Sequence, residues 1–502
     1  MSGPALRNVQ HHIAQQSKYA RLNAFISLTD AAKLQASAPA AEDASKPLHG
    51  RLIAVKDNIA TADLPTTAAS KILSNYTSPY PSTVATLLTF AGALVAGKTN
   101  LDEFGMGSHS RAPFAGPVLS PYTRNGETLS PGGSSGGSAV AVTTGQCWAA
   151  LGTDTGGSVR LPAAYTGTVG FKPSYGRVSR WGVLDYANSL DTVGTLTSTV
   201  GDAKGLYEAL DQYDVRDPTS LPGAVRERIT KAVMARDEKR KDRPLRVGVP
   251  FEYNITSLSS VVKRAWTSLL QRLQAAGHEI VPVSLPSTRL ALSAYYVLAP
   301  AEASSNLAKY DGVRYGARVS GPDALPKEDL VLFAKTRGEG FGPEVRRRIL
   351  LGAYTLSSEA IDNYFIQAQK VRRLVQKDFD NVFGLAHPLL DEVQAAGEDT
   401  VDVLIAPTAP TLPPTIKEVE QLTPVESYMN DVFTVPASLA GLPAVSVPVK
   451  LADAAGKVQN ADEVGGEVTT TGMQVIAQFG DDDLVLEVAE LIEKMQSGTY
   501  NM

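Results

Sequence analysis

The sequence predicts an α/β fold, a single large domain whose mixed β-sheet is covered by helices on both faces. Two observations carry this. Short apolar, β-branched runs recur at 51–59 (RLIAVKDNI), 93–100 (ALVAGKTN), 245–250 (LRVGVP), 278–285 (HEIVPVSL), 401–410 (VDVLIAPTAP) and 444–451 (AVSVPVKL), with helical patterns between them. Alternation of that kind is how a chain encodes a sheet sandwiched between helices. The chain is also long enough, at 502 residues and 43% hydrophobic, to bury a substantial core.

The elements follow in chain order. The first 29 residues lack Asp and Glu but contain Arg7, Lys18 and Arg21, the composition of an organellar import segment; residues 1–20 are read as a short targeting segment. Residues 18–34 (KYARLNAFISLTDAAKL) also fit an amphipathic helix. The stretch 235–244 (ARDEKRKDRP) has no apolar face and ends at a proline, which predicts a solvated loop or helix end. Segment 368–383 puts Val371, Leu374, Val375, Phe379 and Val382 on one helical face. Residues 388–400 (PLLDEVQAAGEDT) read as a surface excursion between a helix and a strand.

Composition narrows the function classes. A formal charge of −5 gives no global field toward nucleic acid or anionic membranes. One cysteine, Cys147, excludes an intrachain disulfide and a cysteine-rich metal site, which fits a reducing interior. No apolar run approaches the length of a spanning helix.

Three motifs compete. Gly92 to Thr99 (GALVAGKT) matches a phosphate-binding loop letter for letter. Its interior, Ala-Leu-Val-Ala, is strand-forming, whereas a phosphate cradle needs a flexible loop whose N–H groups converge on an anion. Gly132 to Gly136 (GGSSG) fits a nucleophile elbow, yet only His278 and His387 follow it, and neither has a triad-like setting. The Gly/Ser-rich runs at 129–139 (LSPGGSSGGSA) and 151–161 (LGTDTGGSVRL) resemble linkers in composition, but they frame a hydrophobic stretch, which linkers rarely do.

A serine hydroxyl needs a neighbouring base to become a nucleophile. With histidine scarce, lysine is the alternative. Lys56 ends the apolar run Leu52-Ile53-Ala54-Val55, where burial disfavours the ammonium form; an ion pair with adjacent Asp57 is the competing reading. Thr155-Gly156-Gly157-Ser158 offers consecutive N–H groups, with glycines that permit unusual dihedrals, as an oxyanion hole requires. Ser158 is therefore the better nucleophile candidate. Asp154 and Arg160 flank the loop and are read as holding its shape.

At these residues the sequence resembles the amidase signature family: AVKDNI, PGGSSGGSA, GTDTGGSVRLPA and GFKPSYGRVS at 170–179 carry the likeness, which extends over roughly 20–495. The two serines stand 24 positions apart, as in that family, and Lys56 precedes Ser134 by 78. The resemblance implies that Ser158 attacks, Ser134 relays the proton, Lys56 is the ultimate base, and residues 155–158 donate to the oxyanion. Within the family, TNLDEFGMGS at 99–108, AEASSNLAKYDGVRYG at 301–316, GFGPEVRRRILLG at 340–352 and YMNDVFTVPASLAGLPAVSVP at 428–448 are similar to the A subunits of glutamyl-tRNA(Gln) amidotransferases.

That branch implies glutamine as substrate, with Arg348 for its carboxylate, Asp431 for its ammonium group and Tyr295 alongside. The run of three arginines at 346–348 would otherwise read as a solvated helix face. The resemblance also implies no metal and no cofactor in this chain. It places ATP and magnesium on a B-type partner subunit that binds tRNA(Gln), and adds a small third subunit; no membrane is involved. The insertions at 213–244 and 386–400, with the cationic N-terminus, are similar to fungal mitochondrial versions, so a mitochondrial matrix location is expected, the cytoplasm being the alternative. Two departures stand out, His109 after GMGS and Arg124-Asn125-Gly126-Glu127 before the serine loop. The competing functions are a stand-alone amidase acting on a small or fatty amide and a catalytically silent scaffold subunit.

Overall fold

The computed structural model describes residues 4–498 except 40–42, 44, 242, 321–330, 391–399 and 452–464. Its centre is an eleven-stranded mixed sheet. In chain order the strands are β1 Phe25–Leu28, β2 Leu52–Lys56, β3 Leu94–Thr99, β4 Ala149–Asp154, β5 Val169–Lys172, β6 Thr192–Thr197, β7 Arg246–Pro250, β8 Glu279–Val283, β9 Val403–Pro407, β10 Ala444–Lys450 and β11 Thr470–Ile476. Across the sheet they run β1-β3-β2-β4-β6-β5-β10-β11-β9-β7-β8. Parallel pairs (β2 with β3 and β4, β7 with β8 and β9) flank an antiparallel middle. All six strand runs predicted from the sequence are strands.

The alternation of side chains along β2 decides where the chemistry goes. Ile53 and Val55 enter one core cluster, with Val84, Leu88 and Leu206. Leu52 and Ala54 enter another, with Val140 and Ala141 of the helix Gly136–Thr143. A period of two then directs Lys56 to the face covered by that helix. The loop carrying Ser134 and Ser135 leads into the same helix, so lysine and serines meet on one side of the sheet.

Two local expectations are corrected. Residues 18–34 are not one helix: a helix runs over Pro4–Lys18, then a 3₁₀ turn (Ala20–Leu22), strand β1 and a second helix (Ala31–Ser37). The break falls at Asn23, which caps the turn in the left-handed region and donates its side-chain amide to Ala115 O and Pro117 O. The helix Pro4–Lys18 is docked on the body, with Val9 fully buried and Gln16 Nε2 donating to Gln146 O at 3.1 Å. The helix Phe365–Val382 forms as expected and buries Val375 and Phe379, but Leu374 is exposed.

Residues 235–240 of the charged stretch are the end of a helix, Gly223–Arg240. The stretch is mostly exposed, as expected, but Arg236 turns inward and grips buried Asp481 with both terminal nitrogens. Most of the excursion at 388–400 lies outside the described residues. No helix among the described residues is long and apolar enough to cross a membrane.

Candidate active site

The amine of Lys56 is fully buried, and its nearest neighbours are neutral. Nζ lies 2.8 Å from Ser134 Oγ, 2.8 Å from Ser135 Oγ, 2.9 Å from Thr153 Oγ1 and 3.3 Å from Thr153 O. Burial pulls its pKa down to about 7, opposed only by the more distant carboxylates of Asp102, Asp154 and Asp191. Asp57 is not its partner. It pairs instead with Lys98 at 3.0 Å and accepts from Thr67 N at 2.9 Å. The competing ion-pair reading of Lys56 therefore fails, and a buried amine whose ammonium form is disfavoured stands beside a serine hydroxyl.

The second loop is joined to the first through main chain: Ser135 N donates to Ser158 O at 3.1 Å. Among the described residues, the N–H groups of Thr155, Gly156, Gly157 and Ser158 have no acceptor within the chain. Buried N–H groups are rarely left unpaired, so this row of donors is suited to an incoming oxygen. Asp154 and Arg160 sit beneath it as a fully buried pair: Arg160 donates Nε to Oδ2 at 3.0 Å and Nη2 to Oδ1 at 2.9 Å, and reaches Thr434 O and Ser438 Oγ. Val159 N also donates to Asp154 Oδ2, at 3.2 Å. Thr155 Oγ1 is held by Asp191 at 2.6 Å.

The glycines of this loop serve close approach. A Cβ on Gly156 would lie 2.8 Å from the Tyr295 hydroxyl oxygen. One on Gly157 would collide with Thr434 Oγ1 and stand 3.0 Å from Asp431 Oδ1. Gly156 does not adopt positive φ, so the expected unusual dihedral gives way to a steric reason there.

Those contacts bring Tyr295 and Asp431 onto the loop. Asp431 accepts from Ser108 Oγ at 2.9 Å, and burial raises its carboxyl to about 7. Arg348 is not a solvated surface residue; it is 3% exposed, while Arg347 beside it faces solvent. Its Nε donates to Glu344 at 2.8 Å and its Nη1 to Tyr186 Oη at 2.5 Å, and Nη2 has no acceptor among the described residues. A cavity of about 370 Å³ adjoins these groups, lined in part by Ser108, His109, Glu344, Arg348 and Tyr428.

Other candidate residues fall away from the chemistry. Lys98 of the phosphate-loop motif lies on β3 and is buried. His278 accepts from Leu245 N at 3.3 Å, and His387 stacks on Phe479, so neither ring stands beside Ser134. His109 is buried between Ser130 Oγ at 2.9 Å and Asn430 Nδ2 at 3.2 Å, where burial pushes its pKa down to about 4. Arg124 bonds Glu418 on the surface at 2.5 Å. The sequence reasoning missed Ser135, Thr153, Asp102, Asp191, Tyr186, Glu344 and Tyr428. Ser135 adjoins a candidate, and Thr153, Asp102, Glu344 and Tyr428 lie inside the quoted motifs, so these were within reach; Tyr186 and Asp191 lie in a stretch with no motif of its own.

A buried lysine against a serine, with a second serine loop rich in free donors on a mixed α/β sheet, is an arrangement that suits amide chemistry. The chain belongs to the amidase family, whose model matches residues 6–486. It is 54% identical to the A subunit of the mitochondrial glutamyl-tRNA(Gln) amidotransferase of Ajellomyces capsulatus, covering 98% of this chain and 99% of that one. It is also 54% identical to the protein of the same name from Emericella nidulans, covering 97% and 99%. Among solved structures, the A subunit of the glutamyl-tRNA(Gln) amidotransferase of Thermotoga maritima superposes with a TM-score of 0.72 at 33% identity, over 98% of this chain and 91% of that one. The mitochondrial expectation from the sequence agrees with the names of the fungal relatives.

Proposed function

We propose that this chain is the glutaminase subunit of a mitochondrial glutamyl-tRNA(Gln) amidotransferase and works through Lys56, Ser134 and Ser158. The observation that carries the reading is the Lys56 amine, 2.8 Å from Ser134 Oγ with no carboxylate in contact. As a free amine it uses its N–H groups on Ser135 and Thr153 and its lone pair on the Ser134 hydroxyl. Ser134 in turn takes the proton of Ser158 as Ser158 Oγ attacks the side-chain amide carbon of glutamine. Negative charge on the amide oxygen is met by the N–H groups of residues 155–158. The proton returns through Ser134 to the leaving nitrogen, ammonia departs, and water hydrolyses the glutamyl ester on Ser158.

Arg348 takes the substrate carboxylate on its free Nη2, Asp431 takes the ammonium group, and Tyr295 forms the wall between. Asp154 and Arg160 hold the loop. This chain brings no cofactor and no metal; ATP and magnesium serve a B-type partner subunit, which holds glutamyl-tRNA(Gln) and receives the ammonia, with a small third subunit completing the complex in the matrix. The test is Ser158→Ala in the complex purified through this subunit. Glutamine-dependent amidation should fall by about 10⁴-fold while amidation with supplied ammonium persists. Glutamine-dependent activity that survives the substitution removes the assignment.

A further inference from the structure

Arg348 is held in a way that its pairing with a substrate carboxylate does not by itself require. Glu344 lies one helical turn before it on the helix Pro343–Thr355, and its Oε1 accepts both Arg348 Nε, at 2.8 Å, and the Tyr428 hydroxyl, at 2.9 Å. Tyr428 ends the helix Pro424–Tyr428, three residues before Asp431. Its ring stacks on Tyr296 with centroids 3.8 Å apart at 18°. The Arg348 guanidinium carbon lies 5.3 Å from the Tyr296 ring, 5.4 Å from Tyr428 and 5.7 Å from Tyr186.

We propose that Glu344 and Tyr428 are specificity-determining positioning residues: their hydrogen bond fixes the distance between Arg348 and Asp431 and thereby selects an α-amino acid amide of glutamine's length. This rests on Arg348 and Asp431 being the two ends of the substrate pocket. An arginine side chain has several rotatable bonds, and a free guanidinium could meet carboxylates over a wide range of positions. Here Nε is spent on Glu344, Nη1 on Tyr186, and the three rings leave the plane no room to turn, so one edge remains for substrate. Because Glu344 also holds Tyr428, the element bearing the cation and the element bearing the anion are tied at one carboxylate. A negative group so near a carboxylate-binding site opposes substrate binding unless orientation outweighs the repulsion. Glu344 stays ionised there; Arg348 is the first of the neighbours that offset its burial.

The test uses the intact complex and compares Tyr428→Phe, which keeps the ring, Glu344→Gln and Arg348→Ala, with glutamine and asparagine as amide donors. Tyr428→Phe and Glu344→Gln should raise KM for glutamine about 5- to 10-fold with kcat within about twofold, and narrow the kcat/KM preference for glutamine over asparagine by about 10-fold. If Arg348→Ala raises KM but Tyr428→Phe changes neither KM nor preference, the tether is wrong and the pocket stands. If Arg348→Ala itself leaves KM unchanged, the pocket reading fails and the tether falls with it. A drop in kcat and melting temperature without a change in preference marks Glu344 and Tyr428 as merely structural and overturns the proposal.

Discussion

Lys56 and Lys98 stand at the ends of neighbouring parallel strands, Lys56 as the last residue of β2 and Lys98 as the last but one of β3, and both are completely buried. The register sets Val55 against Lys98 and Lys56 against Thr99, which sends the two amines to opposite faces of the sheet. Burial lowers the pKa of both. What separates them is the contact shell. Lys98 meets the Asp57 carboxylate at 3.0 Å, with Thr66 Oγ1 at 2.8 Å and Pro65 O at 3.1 Å completing the set, and is a paired structural cation. Lys56 meets three hydroxyls and a carbonyl, all neutral. The fold denies Lys56 the contacting anion that it gives Lys98, and that is what suits Lys56 to the proposed role of base.

The sharpest way to break this comparison is to remove each amine in turn. Lys56→Met should cut glutamine hydrolysis by about 10³-fold or more while changing the melting temperature little, since the partners it leaves behind are neutral hydroxyls and no buried charge is stranded. Lys98→Met should do the reverse: it leaves Asp57 buried without its cation, which costs about 3–5 kcal/mol in denaturant unfolding, while kcat per folded molecule is kept. Equal activity losses from the two would erase the distinction.

The pH dependence sharpens the same contrast. In the proposed mechanism the active form of Lys56 is the free amine, so kcat/KM should rise with pH through an inflection near 7 and level off above it. Ionisation of Asp431, also near 7, moves kcat/KM in the same direction, because its carboxylate form binds the ammonium group. The kcat profile at saturating glutamine isolates Lys56, and a kcat flat from pH 6 to 9 would show that no such base titrates. Smaller again is Asp191→Asn, which weakens the anchor of Thr155 and should lower kcat about 10-fold with KM little changed. Smallest is Arg124→Ala: its exposed bond to Glu418 is worth less than about 1 kcal/mol, and steady-state rates should match the parent.

Much of this was legible because the decisive signals are local. Strand runs announce themselves by β-branched composition, and the catalytic candidates sit in glycine- and serine-rich loops whose spacing is itself a pattern. Lys56 was legible as a buried amine, but its freedom from Asp57 was not, because the competitor, Lys98, lies on another strand. Residues 18–34 misled for a related reason: their apolar spacing suits a helix, while Asn23, fixed by Ala115 and Pro117 far along the chain, ends the turn and starts a strand. Arg348 shows the same limit. Nothing in three consecutive arginines says which one is buried; that is decided by Tyr186, Tyr296 and Tyr428, each brought in from a different part of the chain.

The crowding at Gly156 and Gly157 also bears on how such an enzyme can drift over generations. One face of this short backbone segment abuts Tyr295 and Asp431, and its N–H groups are the proposed donors to the reacting carbonyl. A mutation that enlarges either wall residue pushes on the donors as well, so a lineage exploring new amides from that side loses rate before it gains a substrate. On the proposed tether, variation is tolerated more readily around residues 344 and 428, where a change alters which molecule is chosen without pressing on the 155–158 donors.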